Sequence, residues 1–172
     1  MLILGIDPGL ATTGYGLVEE QDGDLALLEC GTITTPAGLP VSERLQQLHE
    51  ELSQLMHSWR PDGAAVEELF FSSNAKTAML VGQARGVILL TLALHGLPVH
   101  EYTPMQIKQA LVGYGGAGKA QMQRMVAMLL DLPEIPTPDD AADAVATAIC
   151  HINSSRMASL LASHDASKES AL

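Results

Sequence analysis

Leu2-Ile3-Leu4-Gly5-Ile6 is an unbroken apolar run that stops at Asp7-Pro8-Gly9. A strand of this kind needs cover on both faces, so it belongs at the centre of a sheet with other layers packed on either side. Residues 14–18 and 25–34 read as two further strands. Asp22-Gly23 lies between them, and both residues tolerate the positive φ of a tight hairpin turn. Leu45, Leu48, Leu52, Leu55 and Trp59 then recur at spacings of three and four. They form one stripe of an amphipathic helix, opened by Ser42 and finished before Pro61. Residues 63–67 are a short strand of small residues ending in acid. Residues 74–94 make a long helix so apolar all round that burial on more than one side is expected, as at a subunit contact. Residues 97–102 give another strand. Thr103-Pro104 and Thr137-Pro138 each set a capping hydroxyl before a proline, opening helices over 104–112 and from 138 to about 153. A Met-rich helix covers 119–130. Three leading strands followed by strand–helix alternation predict an α/β domain, a mixed five-stranded sheet flanked by helices. The domain is expected over residues 1–154, with 155–172 as a frayed or disordered C-terminal tail.

Composition narrows the function. Nine Lys and Arg against twenty Asp and Glu leave a net charge of −11, which disfavours broad phosphate binding. Two Phe, three Tyr and one Trp are too few for an extended base-stacking platform. Cys30 and Cys150 are too few and too distant for a Cys-rich zinc module or a disulfide framework. The longest apolar run, 86–94, is short of a membrane span, and no basic leader opens the chain. A soluble, cytoplasmic protein with no membrane partner is expected. The charge is also segregated. Residues 69–130 contain Lys76, Arg85, Lys108, Lys119 and Arg124 but only Glu101 as an acid, for a net +4. A basic middle in an acidic chain is what a local anion-binding face requires, although exposed helix faces carry such charge for solvation alone.

Acids stand at the ends of three predicted elements. Asp7 closes the first strand, Glu67 the fourth, and Asp140 and Asp143 lie in the first turns of the last helix. Residues three apart on a helix share a face, so the last pair can point at one place. Each also has a plainer reading. Asp7 before Pro-Gly is a turn former, and Asp139 and Asp140 suit a helix N-terminus. Asp143 sits past the first turn and suits it less well. Should the four meet, their repulsion has to be relieved by protons or metal, and hard oxygen ligands select Mg²⁺ or Mn²⁺. Two such ions can activate a water and stabilise a leaving oxygen, the chemistry of many phosphodiester nucleases. Strand alternation turns Glu67 toward the layer of Ala65, and a slip of one residue would substitute Glu68.

Taken together, several stretches resemble the RuvC-type Holliday junction resolvases. They are Leu4-Gly5-Ile6-Asp7-Pro8-Gly9, Thr13-Gly14-Tyr15-Gly16, Val66-Glu67 with Leu69-Phe70, Asn74-Ala75 and Gly82-Gln83-Ala84-Arg85-Gly86. Lys108-Gln109, Val112-Gly113, Gly118-Lys119 and Asp140-Ala141-Ala142-Asp143-Ala144 complete the set, in the family's order from residue 2 to about 151. The resemblance implies a ribonuclease H-like fold and a homodimer. It also implies cutting of four-way DNA junctions by paired symmetric nicks, in recombination and repair, with two Mg²⁺ or Mn²⁺ ions per site. Asp7, Glu67, Asp140 and Asp143 match the family's metal-binding, catalytic acids. Phe70 matches an aromatic that stacks near the junction centre, and Lys108 and Lys119 match basic residues that contact DNA. Lys76 and Arg85 are added as DNA-binding candidates from the basic stretch. A branch-migration helicase complex is an implied partner. Glu68 and Phe71, beside Glu67 and Phe70, depart from the pattern.

The same residues also suit other functions: a ribonuclease H-like nuclease with a different nucleic-acid substrate, or a non-catalytic junction-binding scaffold whose acids only cap helices. An actin-like or sugar-kinase ATPase shares the acid-closed first strand but needs a second lobe, for which 172 residues leave no room. The segment 113–120 nearly spells a phosphate-binding P-loop, yet Ala120 stands where a hydroxyl is needed and a helix precedes it. It reads as a loop with Lys119 free for phosphate. Met122, Met125 and Met128 read as core or subunit contact, and His151 as structural or surface.

Overall fold

The computed structural model describes residues 1–68 and 75–169, with side chains described for 1–68 and 77–163. Its strands are β1 (Leu2–Asp7), β2 (Thr12–Gln21), β3 (Asp24–Thr34), β4 (Gly63–Glu67) and β5 (Val99–Tyr102). Its helices are α1 (Val41–Trp59), α2 (Ala75–Leu94), α3 (Pro104–Val112), α4 (Lys119–Leu129) and α5 (Asp139–Glu169). The strands form one mixed sheet in the order β3-β2-β1-β4-β5. β1, β2 and β3 are antiparallel neighbours, whereas β4 runs parallel to both β1 and β5. The apolar first strand is thus the middle strand. The β2–β3 hairpin turns through Asp22 and Gly23, both at positive φ (53° and 101°), as the Asp-Gly pair predicts.

The sheet separates two cores. Ile3, Val18 and Ala65 face α3, α4 and α5, where they meet Ile107, Met122, Val126, Val145 and Ile149. Leu4, Ile6, Leu17, Ala64 and Val66 face α1 and α2, against Leu48, Leu52, Met56, Ala84, Ile88 and Leu92. Alternate residues of β1 serve opposite layers, which explains why that strand is apolar throughout. Thr103 caps α3 in a full capping box with Gln106.

The start of α1 and the end of α5 need correction, and α2 needs a partner to meet its expectation. α1 starts at Val41 behind Pro40, with no side-chain cap, so Ser42 lies inside the helix. Within the single chain, the described part of α2 buries one stripe (Ala84, Ile88, Leu92), while Leu90 and Leu94 are 58% and 69% exposed, so burial on a second side is not reached without a partner. The window Thr77–Leu94 has a mean hydropathy of 1.6, enough by length and composition to cross a membrane; here that stripe packs into the core. α5 runs to Glu169 rather than ending near residue 153. Residues 139–169 hold no Gly or Pro, and the serines fold their hydroxyls back onto the previous turn. Ser154 Oγ donates to the Cys150 carbonyl at 2.8 Å and Ser159 Oγ to the Ser155 carbonyl at 3.0 Å.

Candidate active site

Sheet register brings the first two acids together. β1 and β4 pair in parallel with Ile6 opposite Val66, so Asp7 and Glu67 close neighbouring strands at the same end. Both continue the alternation that turns Ala65 toward the α5 layer, and both side chains face that layer. Glu67 lines a cavity of about 250 Å³ with Ile107, Lys108, Lys119, Met122 and Asp143. Glu68 instead donates its backbone N–H to the Tyr102 carbonyl at 2.8 Å.

Glycines bring α5 to the same place. A β-carbon on Gly5 would collide with the backbone oxygen of Ala144, one on Gly14 with that of Asp140, and one on Gly16 with Val145. Gly5 and Gly16 are cross-strand partners, and Gly14 is the partner of Asp7. The helix therefore rests directly on the β1 and β2 backbone, with its first turn over the end of β1. Asp140 lies over Gly14, and Asp143, one turn further on, enters the cavity. As sequence these glycines belong to the family pattern; their seating role emerges only once the β1–β2 register is known.

The acids share one electrostatic field. Burial, and then Glu67, Asp143 and Asp140 in that order, push the Asp7 carboxyl up to about 8 against the pull of Lys119. Burial and Asp143 push Glu67 up to about 7, with Lys108 and Lys119 opposing. Asp143 is also raised, by burial first, against Lys119. Crowded, desolvated carboxylates need a proton or a cation, and an all-oxygen set suits a hard divalent ion. Among the described residues, however, no group of three or more His, Cys, Asp or Glu side chains stands in coordinating geometry. Lys108 and Lys119 both bring positive charge to the cluster, and Lys119 touches it directly. Its Nζ lies 3.2 Å from Asp143 Oδ2 and 3.0 Å from Asp139 Oδ2.

The basic candidates divide. Lys108 and Lys119 line the cavity with the acids. Arg85 does not join them: it sits on α2, beyond the opposite face of the sheet, in an ion pair with Glu101 of β5. Phe70 and Phe71, and the side chain of Lys76, lie outside the described residues. The P-loop lookalike is a helix-to-helix loop. Gly113 closes α3 at φ 82° and Gly118 precedes α4. His151 is buried, stacked on His100 with 4.2 Å between ring centroids, and its Nδ1 meets the Tyr102 hydroxyl at 2.8 Å.

Comparison with known proteins identifies the family of the chain. The family model for crossover junction endodeoxyribonuclease RuvC matches residues 3–151. A crossover junction endodeoxyribonuclease RuvC of Roseiflexus sp. (strain RS-1) is 62% identical over 148 residues, covering 86% of this chain and 88% of that protein. One from Syntrophomonas wolfei is 54% identical over 163 residues, covering 95% of each. Among solved structures, T. thermophilus RuvC in complex with a Holliday junction substrate superposes with a TM-score of 0.84 at 36% identity, over 91% of this chain and 96% of that one. The chain belongs to the crossover junction endodeoxyribonuclease RuvC family.

Proposed function

We propose that this chain is a structure-specific endonuclease that resolves four-way DNA junctions by paired symmetric nicks, in recombination and repair. The observation that carries the reading is the convergence of Asp7, Glu67, Asp140 and Asp143 on one field beside a cavity that also holds Lys108 and Lys119. A linear cofactor-binding crevice would not need acids at the ends of β1 and β4 under the first turns of α5.

In this reading the four acids would hold two Mg²⁺ or Mn²⁺ ions. When bound, these ions supply Lewis acidity to an attacking water and to the leaving oxygen of the phosphodiester. The chain's own residues do the rest. Asp7 and Glu67, on adjacent strands, give a rigid base to the site, because both sit at the ends of hydrogen-bonded β-structure. Asp140 and Asp143 add carboxylates from a helix that its glycine seat cannot let drift. Lys108 and Lys119 neutralise the phosphate that enters the cavity. Phe70 is assigned to a splayed base step at the junction centre, and Lys76 to the DNA backbone. Arg85, already paired with Glu101, is the weakest of the DNA candidates.

Residues 1–154 constitute the nuclease domain, with 155–172 as an appended tail. A homodimer is supported by α2, whose outward face carries exposed Met79, Leu90 and Leu94, with open space around Gly82 and Gly86 where a second helix could approach. A two-fold dimer would set two sites against two strands of a two-fold junction. The branch-migration partner rests on family membership. Cys30 and Cys150 are free thiols, as a reducing cytoplasm allows.

Incubation with a synthetic four-way junction, with and without Mg²⁺ or Mn²⁺, beside a linear duplex of the same sequence, tests the reading. Cation-dependent paired nicks confined to the junction are expected, with Asp143→Asn still binding but not cutting. Binding without any cutting by the unaltered chain would make it a scaffold, and cutting of the linear duplex would make it a different nuclease.

A further inference from the structure

Asp139 flanks the acidic site without belonging to it: it is exposed, and its place at the start of α5 suits the helix dipole. Its contacts are more specific than a dipole requires. Oδ2 receives the Lys119 ammonium at 3.0 Å, and Oδ1 receives Gln123 Nε2 at 2.8 Å. Lys119 and Gln123 are one turn apart on α4, so a single carboxylate grips that helix at two points. Gln123 occupies the oxygen that Lys119 does not use, which fixes the carboxylate toward α4 without competing for the cation. Asp143, one turn along α5, holds the same ammonium from the other side at 3.2 Å. Lys119 is therefore shared between one carboxylate inside the cavity and one outside it.

We propose that Asp139 is a positioning residue that draws the Lys119 ammonium off Asp143, leaving Asp143 open to a divalent cation while keeping the lysine at the rim for phosphate. The inference rests on the acidic pocket being a divalent-cation site. A cation arriving at Asp143 repels Lys119, which needs a nearby anion to move to. Asp139 is that anion, already in contact, so the displacement takes a change of side-chain torsion and no movement of α4. Without its charge, Lys119 has Asp143 alone and competes there with the incoming ion.

The test is calorimetric titration of Mn²⁺ into the full, DNA-free chain, so that the readout is independent of cleavage. Asp139→Asn should weaken Mn²⁺ binding roughly two- to fivefold, the range of an exposed ion pair. Asp139→Glu should restore it, and Lys119→Gln should tighten it. In the Lys119→Gln background, Asp139→Asn should have little further effect. Thermal melting of each variant checks that the fold is intact. Equal weakening by Asp139→Asn in both backgrounds would show that Asp139 acts only as a distant negative charge, and would overturn the proposal. So would unchanged Mn²⁺ affinity in Asp139→Asn beside normal uptake by the unaltered chain. Failure of the unaltered chain to take up Mn²⁺ would sink the cation site itself, and the inference with it.

Discussion

Two cavities on opposite faces of the sheet are both lined by carboxylates, and they treat them in opposite ways. The cavity beside α5 holds Glu67 and Asp143 next to Asp7. The other, about 300 Å³ between β2, β3 and α1, holds Glu29 and Glu51 with Tyr15 and Trp59. In the second, each acid has a dedicated donor. Glu29 receives the Tyr15 hydroxyl at 2.8 Å and Trp59 Nε1 at 2.9 Å, and Glu51 receives Gln47 Nε2 at 2.7 Å. Tyr15 is held protonated in that role: burial, and then its bond to Glu29, push its hydroxyl up to about 12. In the first cavity the acids face one another, and burial with mutual repulsion carries Asp7 and Glu67 to about 8 and 7. A carboxylate satisfied by donors is a finished structural part. A set of carboxylates whose mutual repulsion outweighs the pull of its neighbouring lysines is stabilised when a further cation arrives, and that need is what makes it a candidate for chemistry.

Exchanging charge for amide in each cavity should separate them most widely. Glu67→Gln is expected to lower junction cleavage by about 10³-fold with binding retained, several kcal/mol of lost transition-state stabilisation. Glu29→Gln should leave cleavage unchanged and cost about 1–2 kcal/mol of stability in denaturant melts, through the weakened bonds to Tyr15 and Trp59. Equal loss of cleavage from both would dissolve the distinction.

The next largest effect tests how α5 reaches its cavity. Gly14→Ala should destabilise the chain by about 1–3 kcal/mol, since the new methyl group meets backbone at Asp140 rather than a movable side chain. Cleavage should fall more than stability alone explains, because the displaced segment carries the acids. Gly38→Ala, where a β-carbon meets nothing within 4 Å, is the matching control.

The smallest effect is electrostatic. Asp7 and Glu67 have folded values above their ordinary ones, 3.8 and 4.5, so between about pH 4 and 8 the folded chain holds protons that the unfolded chain has released. Their contribution to cation-free stability is thus fully present below the ordinary values and lost as pH rises through 7 and 8. Asp7→Asn should flatten that decline and stabilise the cation-free chain at pH 8 by about 1 kcal/mol, read as a melting shift of a few degrees. Mg²⁺ should stabilise the unaltered chain at pH 8 and do much less for the variant.

Much of this architecture was legible in the residue pattern because its signals are local. The Leu2–Ile6 run, the Asp22-Gly23 turn, the α1 stripe and the Thr103 cap each act within a few residues. The phasing that turns Glu67 inward is a consequence of strand alternation and was readable too. Arg85 was not: its counter-charge Glu101 is distant in the chain and meets it only when α2 lies against β5. The length of α5 was missed for a different reason. Ser and Ala look like tail composition, but with no Gly or Pro the serine hydroxyls bond within the helix and it continues.

The order of residues alone determined which segments become strand or helix, and which strands and helix carry acids at their ends. Propensity, periodicity and capping act over short distances, and those choices follow from them. Tertiary structure decided that the acids share a field, that Lys119 lies between Asp139 and Asp143, and that Gly5, Gly14 and Gly16 form a seat for α5. Those outcomes depend on register and on how closely two backbones approach, quantities that exist only once distant parts of the chain are packed together.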